Sequence, residues 1–168
     1  MAATTLVPVT EYLSTSYEPD CDYVDGVIED RNVGEKDHSK LHTELTTWLH
    51  VRRAQFGIRV FVEQRIQVSP TRFRVPDICV YRGSEPPEQV FTTPPFLCIE
   101  ILSPDDRMSR MLEKIEDYLK FGVGFVWLID PRTQRAEIHT NEGSEKVRDG
   151  RLKTHNPTIV VPLAELFD

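Results

Sequence analysis

The runs Arg74-Val75-Pro76-Asp77-Ile78-Cys79-Val80-Tyr81 and Phe96-Leu97-Cys98-Ile99-Glu100-Ile101-Leu102 leave this chain little freedom in how it folds. Read as β-strands, both are apolar on both faces, and each carries one carboxylate inside it. Val75, Asp77, Cys79 and Tyr81 share one face of the first, opposite Ile78 and Val80. Phe96, Cys98, Glu100 and Leu102 share one face of the second, opposite Leu97, Ile99 and Ile101. Strands apolar on both sides belong in the middle of a covered sheet. A carboxylate there is costly unless a cation or strong hydrogen bonds compensate it. Each acid can pair with its own Arg or Lys. Two on neighbouring strands repel, however, and one metal ion serves both.

The segments around these strands fit a mixed sheet flanked by helices. Leu6 to Ser16 reads as a short helix. Asp20 to Glu29 reads as a hairpin, with Asp25-Gly26 as a two-residue turn. Arg31 to Lys36 is a polar loop. Lys36 to Phe56 is a long helix whose inner face carries His38, Leu41, His42, Leu45, Trp48, Leu49, Arg52 and Phe56, and Gly57 stops it. Arg59 to Val68 alternates as one strand and pairs in an antiparallel hairpin with the Asp77 strand. Gly83 to Pro95 is a Pro-rich surface loop. Ser103-Pro104 opens a helix that runs to Phe121 and stops at Gly122. Its core stripe is Met108, Leu112, Ile115 and Leu119, with Arg107, Lys114 and Tyr118 on one flank, able to lean back over the end of the Glu100 strand. Phe125 to Asp130 is the next apolar strand, so strand, helix and strand form a crossover unit. Arg135 to Thr140 and Glu145 to Leu152 read as edge strands, and Ile159 to Phe167 as a strand and terminal turn.

At 168 residues the chain has the size of a single domain, residues 1–168. It has no apolar run long enough to span a membrane and no signal-peptide pattern at its start. Cys21, Cys79 and Cys98 lack metal-type spacing and read as small apolar residues in a reducing cytoplasm. A net charge of -7 argues against promiscuous, charge-driven nucleic-acid binding. It leaves room for an enzyme that uses a local basic patch and a metal.

From the residues, the candidate site is Asp77, Glu100, the backbone carbonyl of Ile101, and Lys114. A hard cation such as Mg²⁺ takes oxygens, which two carboxylates, a carbonyl and waters supply. Such an ion lowers the pKa of bound water and polarises a phosphodiester. A lysine nearby orients the hydroxide or steadies developing negative charge. His38 and His42, four apart, form a second candidate pair, either for a metal or as hydrogen-bonded histidines.

Asp22-Tyr23-Val24-Asp25-Gly26, His38, Val75-Pro76-Asp77, Ile99-Glu100-Ile101-Leu102-Ser103-Pro104, Lys114 with Tyr118, and Trp127-Leu128-Ile129-Asp130-Pro131 together resemble the Uma-two family of restriction endonucleases, within the PD-(D/E)XK nuclease superfamily. The resemblance implies an α/β fold: a restriction-endonuclease-like mixed β-sheet core flanked by helices, with an N-terminal helix and β-hairpin. It implies phosphodiester cleavage in DNA with Mg²⁺ or Mn²⁺ as cofactor. Asp77, Glu100 and Ile101 would hold the metal, with Lys114, His38 and Tyr118 as further catalytic residues. A homodimer is expected, since two sites cut two strands most simply. The chain departs from the superfamily pattern in two places. Leu102, not Lys, stands two residues after Glu100, which implies that the lysine has moved to the following helix as Lys114. The acid of the first helix is replaced by His38, with Glu44 and Glu63 as stand-ins. The displaced lysine and the acidic charge also fit a catalytically inactive homologue serving as a nucleic-acid-binding or dimeric assembly module. Arg52, Arg53, Arg72, Arg74, Arg107 and Arg110 are the basic candidates for contacts to a nucleic-acid backbone.

Overall fold

The computed structural model describes residues 3–32 and 34–167. In chain order the elements are α1 (Val9–Ser14), β1 (Asp22–Val24), β2 (Val27–Glu29), α2 (Lys36–Val51), α3 (Arg53–Phe56), β3 (Ile58–Val62), β4 (Ile66–Ser69), β5 (Arg72–Arg74) and β6 (Ile78–Arg82). They continue with β7 (Leu97–Ile101), α4 (Met108–Phe121), β8 (Phe125–Asp130), β9 (Arg135–Thr140), β10 (Gly143–Lys146), β11 (Arg151–Lys153), β12 (Val160–Pro162) and a 3₁₀ turn, Leu163–Glu165. Among the described residues no helix is long and apolar enough to cross a membrane.

A mixed sheet ordered β10-β9-β8-β7-β6-β3 forms the centre. Among the described residues its one parallel strand pair is β7 with β8, joined through α4 as the expected crossover. The period-two alternation divides the core between the two faces. Leu97, Ile99 and Ile101 of β7 and Ile78 and Val80 of β6 pack with Leu41, Leu45 and Leu49 of α2. Cys79, Tyr81 and Cys98 pack on the other face with Met111, Ile115 and Tyr118 of α4. By the same alternation Glu100, between Ile99 and Ile101, belongs to the α4 face. A smaller sheet, β2-β1-β5-β4, stands beside the first. The β1–β2 turn has φ of 49° at Asp25 and 93° at Gly26, the double positive φ that a tight hairpin requires.

Several boundaries differ from those read in the sequence, and each difference has a physical cause. The first helix is shorter, Val9–Ser14, and the long helix breaks at Arg52 before ending at Gly57 in the left-handed conformation. Arg59 to Val68 is two strands, not one: β3 joins the central sheet, β4 joins the small one, and Glu63 between them has φ 49°. The partner run breaks in register with it, so Asp77 precedes β6 instead of lying within a strand. The hairpin is thus folded across two sheets. Its alternation persists through the break, which hides the break from a periodicity argument. The Glu145 to Leu152 run likewise divides between β10 and β11, which belong to different sheets.

The last helix begins at Met108, with Arg107 as its N-cap, not at Ser103-Pro104. Asp106 Oδ2 accepts the Ser103 N–H at 2.7 Å, closing a turn there. Its buried face is Met111, Lys114, Ile115 and Tyr118, whereas Met108 and Leu112 are about half exposed. Lys114 and Tyr118, read from the sequence as a flank, lie on the inner face, while Arg107 is exposed.

Candidate active site

The break between β5 and β6 builds the site. Where the ladder stops, buried backbone groups need other partners. Asp22 Oδ1 accepts the Val75 N–H at 2.8 Å, and Lys114 Nζ donates to the Val75 carbonyl at 3.0 Å. His42 Nε2 bonds the Asp77 carbonyl at 3.0 Å. His42 is therefore a hydrogen-bonded histidine of the scaffold. Side chains from the hairpin, α2 and α4 are drawn to one point by an interrupted strand.

Asp77 and Glu100 meet there. The register pairs Ile78 with Ile99, which sets the preceding Asp77 beside the end of β7. Asp77 Oδ2 accepts the Ile101 N–H at 2.7 Å. Both acids are almost fully buried, at 4% and 3% exposure, yet both line a cleft of about 200 Å³. Arg31, Asp106, Arg107 and Arg110 form part of its wall.

The two carboxylates are held differently. Asp77 Oδ1 accepts a hydrogen bond from Arg31 Nη2 at 2.8 Å and lies 3.4 Å from His38 Nε2. Burial works against its charge, but His38, Arg31 and Lys114 outweigh burial and hold its pKa down to about 2. The same carboxylate raises the His38 pKa. Glu100 Oε1 accepts from Tyr118 at 2.7 Å and lies 3.0 Å from Lys114 Nζ. Here burial wins, aided by repulsion from Asp77, and the pKa rises to about 7 despite Lys114. Lys114 is buried too, but Asp22 and Glu100 keep it charged, and its pKa is raised.

The structure therefore brings Asp77, Glu100, Ile101, Lys114, His38 and Tyr118 together. Glu63 stands at the edge, with Oε1 3.7 Å from Arg31 Nη1. Sequence reasoning assigned no role to Arg31 or Asp22. Arg31 falls in an aperiodic loop. Asp22 lies in the hairpin motif of the family, which was a usable signal. Arg74 is not available to a nucleic-acid backbone: it is 1% exposed and bridges Asp22, Glu29 and Asp117. Arg72 is bound by Asp25, Glu113 and Asp117. Arg52 stacks on Trp48, 4.0 Å from the ring centre.

The donors suit a hard divalent ion in kind: two carboxylates whose mutual repulsion an ion removes, beside the Ile101 peptide. Among the described residues no group of three or more His, Cys, Asp or Glu side chains clusters to hold a metal. Any ion would therefore rest on these two acids, the Ile101 carbonyl and water, as Mg²⁺ commonly does.

A mixed sheet with helices on both faces makes this an α/β protein, with a buried acid pair and a lysine at its strand ends. The chain belongs to the Uma2 family, described as "Putative restriction endonuclease", which matches residues 9–166. Among solved structures it is similar to one described as a putative nuclease belonging to DUF820, from Anabaena variabilis. The two are 26% identical with a TM-score of 0.82, over 96% of this chain and 97% of that one. No curated protein matches the chain.

Proposed function

We propose that the protein is a Mg²⁺- or Mn²⁺-dependent endonuclease that hydrolyses DNA phosphodiester bonds. The observation that carries this reading is the convergence of Asp77, which accepts the Ile101 N–H at 2.7 Å, and Glu100 on one cleft, with Lys114 Nζ 3.0 Å from Glu100. Asp77, Glu100 and the Ile101 carbonyl would hold the ion, which when bound supplies Lewis-acid activation of water and phosphate. Lys114 faces the site with a charge that Asp22 and Glu100 stabilise, and it steadies negative charge developing on the phosphoryl group. Tyr118 orients Glu100, and His38 orients Asp77. Of the six basic candidates, Arg107 and Arg110 are exposed on the cleft wall, where a phosphate backbone would lie. The three cysteines are free and buried, which suits a reducing cytoplasm. A homodimer would cut both strands.

Incubation with supercoiled plasmid and Mn²⁺ tests the proposal. Nicking or linearisation is expected with Mn²⁺ and absent with chelator, and Asp77→Ala should lower the rate by roughly three orders of magnitude. Cleavage that survives Asp77→Ala refutes the site. Folded RNA in parallel reactions checks the choice of DNA.

One observation favours a second reading, a non-catalytic nucleic-acid-binding homologue: Arg31 already neutralises Asp77 at 2.8 Å. That reading expects no divalent-ion binding. Calorimetry showing Mn²⁺ binding that Glu100→Ala abolishes counts against it.

A further inference from the structure

Arg31 is the basic residue in the cleft that the chemistry above leaves without a task. Its side chain is 12% exposed, and its Nη2 lies 2.8 Å from Asp77 Oδ1. The other oxygen, Oδ2, is committed to the Ile101 N–H at 2.7 Å. That bond cannot be given up cheaply, because it would strand a buried amide at the end of β7. Oδ1 is the oxygen whose partners can change. Its second neighbour, His38, sits in the first turn of α2, which fixes its position. Arg31 comes instead from the irregular stretch between β2 and α2, on a long stem that can rotate. Away from Asp77, its Nη1 already has Glu63 at 3.7 Å, an exposed acid at the cleft's edge.

We propose that Arg31 is a built-in competitor for the divalent ion: its guanidinium occupies the Asp77 oxygen that an ion would use, and ion binding displaces it into the cleft. This rests on the metal-binding reading given above. Lys114 and Arg31 would together repel a doubly charged ion at Oδ1, and repulsion between like charges is large where water is excluded. Lys114 is anchored by the Val75 carbonyl and by Asp22, so it stays. Arg31 yields. Once released, it presents a planar fork of donors to the cleft, the geometry that suits a phosphate. Metal affinity is thereby kept low until a phosphate draws the arginine away.

The test is Mn²⁺ binding by calorimetry, without substrate. Arg31→Met keeps the stem and removes the charge, and should tighten Mn²⁺ binding about tenfold, the effect expected of one lost ion-pair competitor. Arg107→Met removes the same charge from the cleft wall without touching Asp77, and should change affinity less than about twofold. Equal tightening in both variants means a general field effect and overturns the inference, as does unchanged affinity in Arg31→Met. If neither the wild type nor Arg31→Met binds Mn²⁺, the metal site fails as well. That result is distinct from wild-type binding that Arg31→Met leaves unaltered. Should Arg31→Met not fold, Mg²⁺ titration of the wild-type protein labelled with ¹⁵N-arginine decides. The Arg31 side-chain resonance must move along the same isotherm as binding, and a stationary resonance overturns the inference.

Discussion

Two charge clusters with buried centres lie side by side in this protein, and they are built on different plans. Around Arg74 one guanidinium binds Asp22, Glu29 and Asp117, and Arg72 ties Asp117 on to Asp25 and Glu113. Every member has a partner of opposite sign, and together they clamp the small sheet to α4. Asp77 and Glu100 also have cations beside them, Arg31 and Lys114, but here two acids of like sign share one cleft and burden each other. Burial lifts Glu100 to about 7 while Asp77 is held near 2. A charge cluster that satisfies itself is scaffold. One that remains in tension while open to a cleft is equipped to receive something. Asp22 belongs to both, since it accepts from Arg74 at 3.3 Å and faces Lys114 at 3.4 Å.

The contrast breaks first on activity. Glu100→Gln keeps the shape and an acceptor for Tyr118 but removes the charge, and cleavage should fall by roughly three orders of magnitude. Its stability at pH 8 should stay within about 1 kcal/mol of the wild type or rise, because an opposed buried charge is gone. Plasmid cleavage and urea denaturation on the same preparation measure both. A Glu100→Gln protein that is both active and destabilised would erase the distinction.

Arg74→Met should do the reverse. It leaves three carboxylates without their shared cation and should cost about 3–5 kcal/mol of stability. Measured below the lowered melting temperature, cleavage should drop less than about tenfold, through the Asp22–Lys114 contact alone. A loss of stability under about 1 kcal/mol would show that the network is not the clamp described.

The acids should also separate by pH. The Glu100 pKa lies above its ordinary 4.5, at about 7 in the folded state. Between those values the folded protein binds more protons than the unfolded one, so stability falls as pH rises through that window. The contribution is on the order of 3 kcal/mol, and Glu100→Gln should abolish it. Asp77 has the opposite sign. Its pKa is lowered from 3.8 to about 2, so its contribution, on the order of 2 kcal/mol, is present above pH 3.8 and lost as pH falls through 2. Urea melts from pH 4.5 to 8, wild type against Glu100→Gln, read the Glu100 contribution directly.

The same contrast explains what could be read from the sequence. The crossover β7–α4–β8 was legible because continuous apolar runs flank an amphipathic helix that ends at Gly122, φ 113°. Period two gave the face of each acid within its own run, and the register of Ile78 with Ile99 is what sets Asp77 beside the end of β7. The inner face of α4 did not, because Lys114 and Tyr118 are buried for the site while Met108 and Leu112 stay exposed. A functional site is where the hydrophobic pattern and the fold disagree. The break at Val75-Pro76-Asp77 left no trace in the alternation, and the loop that places Arg31 has no period at all.

Tyr118→Phe probes the tension at its weakest bond. The hydroxyl donates to Glu100 Oε1 at 2.7 Å, and the ring is fully buried, so phenylalanine fills the same space. A hydrogen bond to a carboxylate favours its charged form, and losing this one should push the Glu100 pKa further up. The cost therefore depends on pH. Above pH 7, where Glu100 is charged, stability should fall by about 1–2 kcal/mol, and well below pH 7 by less. Cleavage should fall about tenfold, because Glu100 is held on that side by Lys114 alone. Urea melts at pH 5.5 and 8.5 distinguish the outcomes. An equal loss at both values would mean that Tyr118 supports the neutral acid as well as the charged one, and would place it with the Arg74 scaffold rather than with the site.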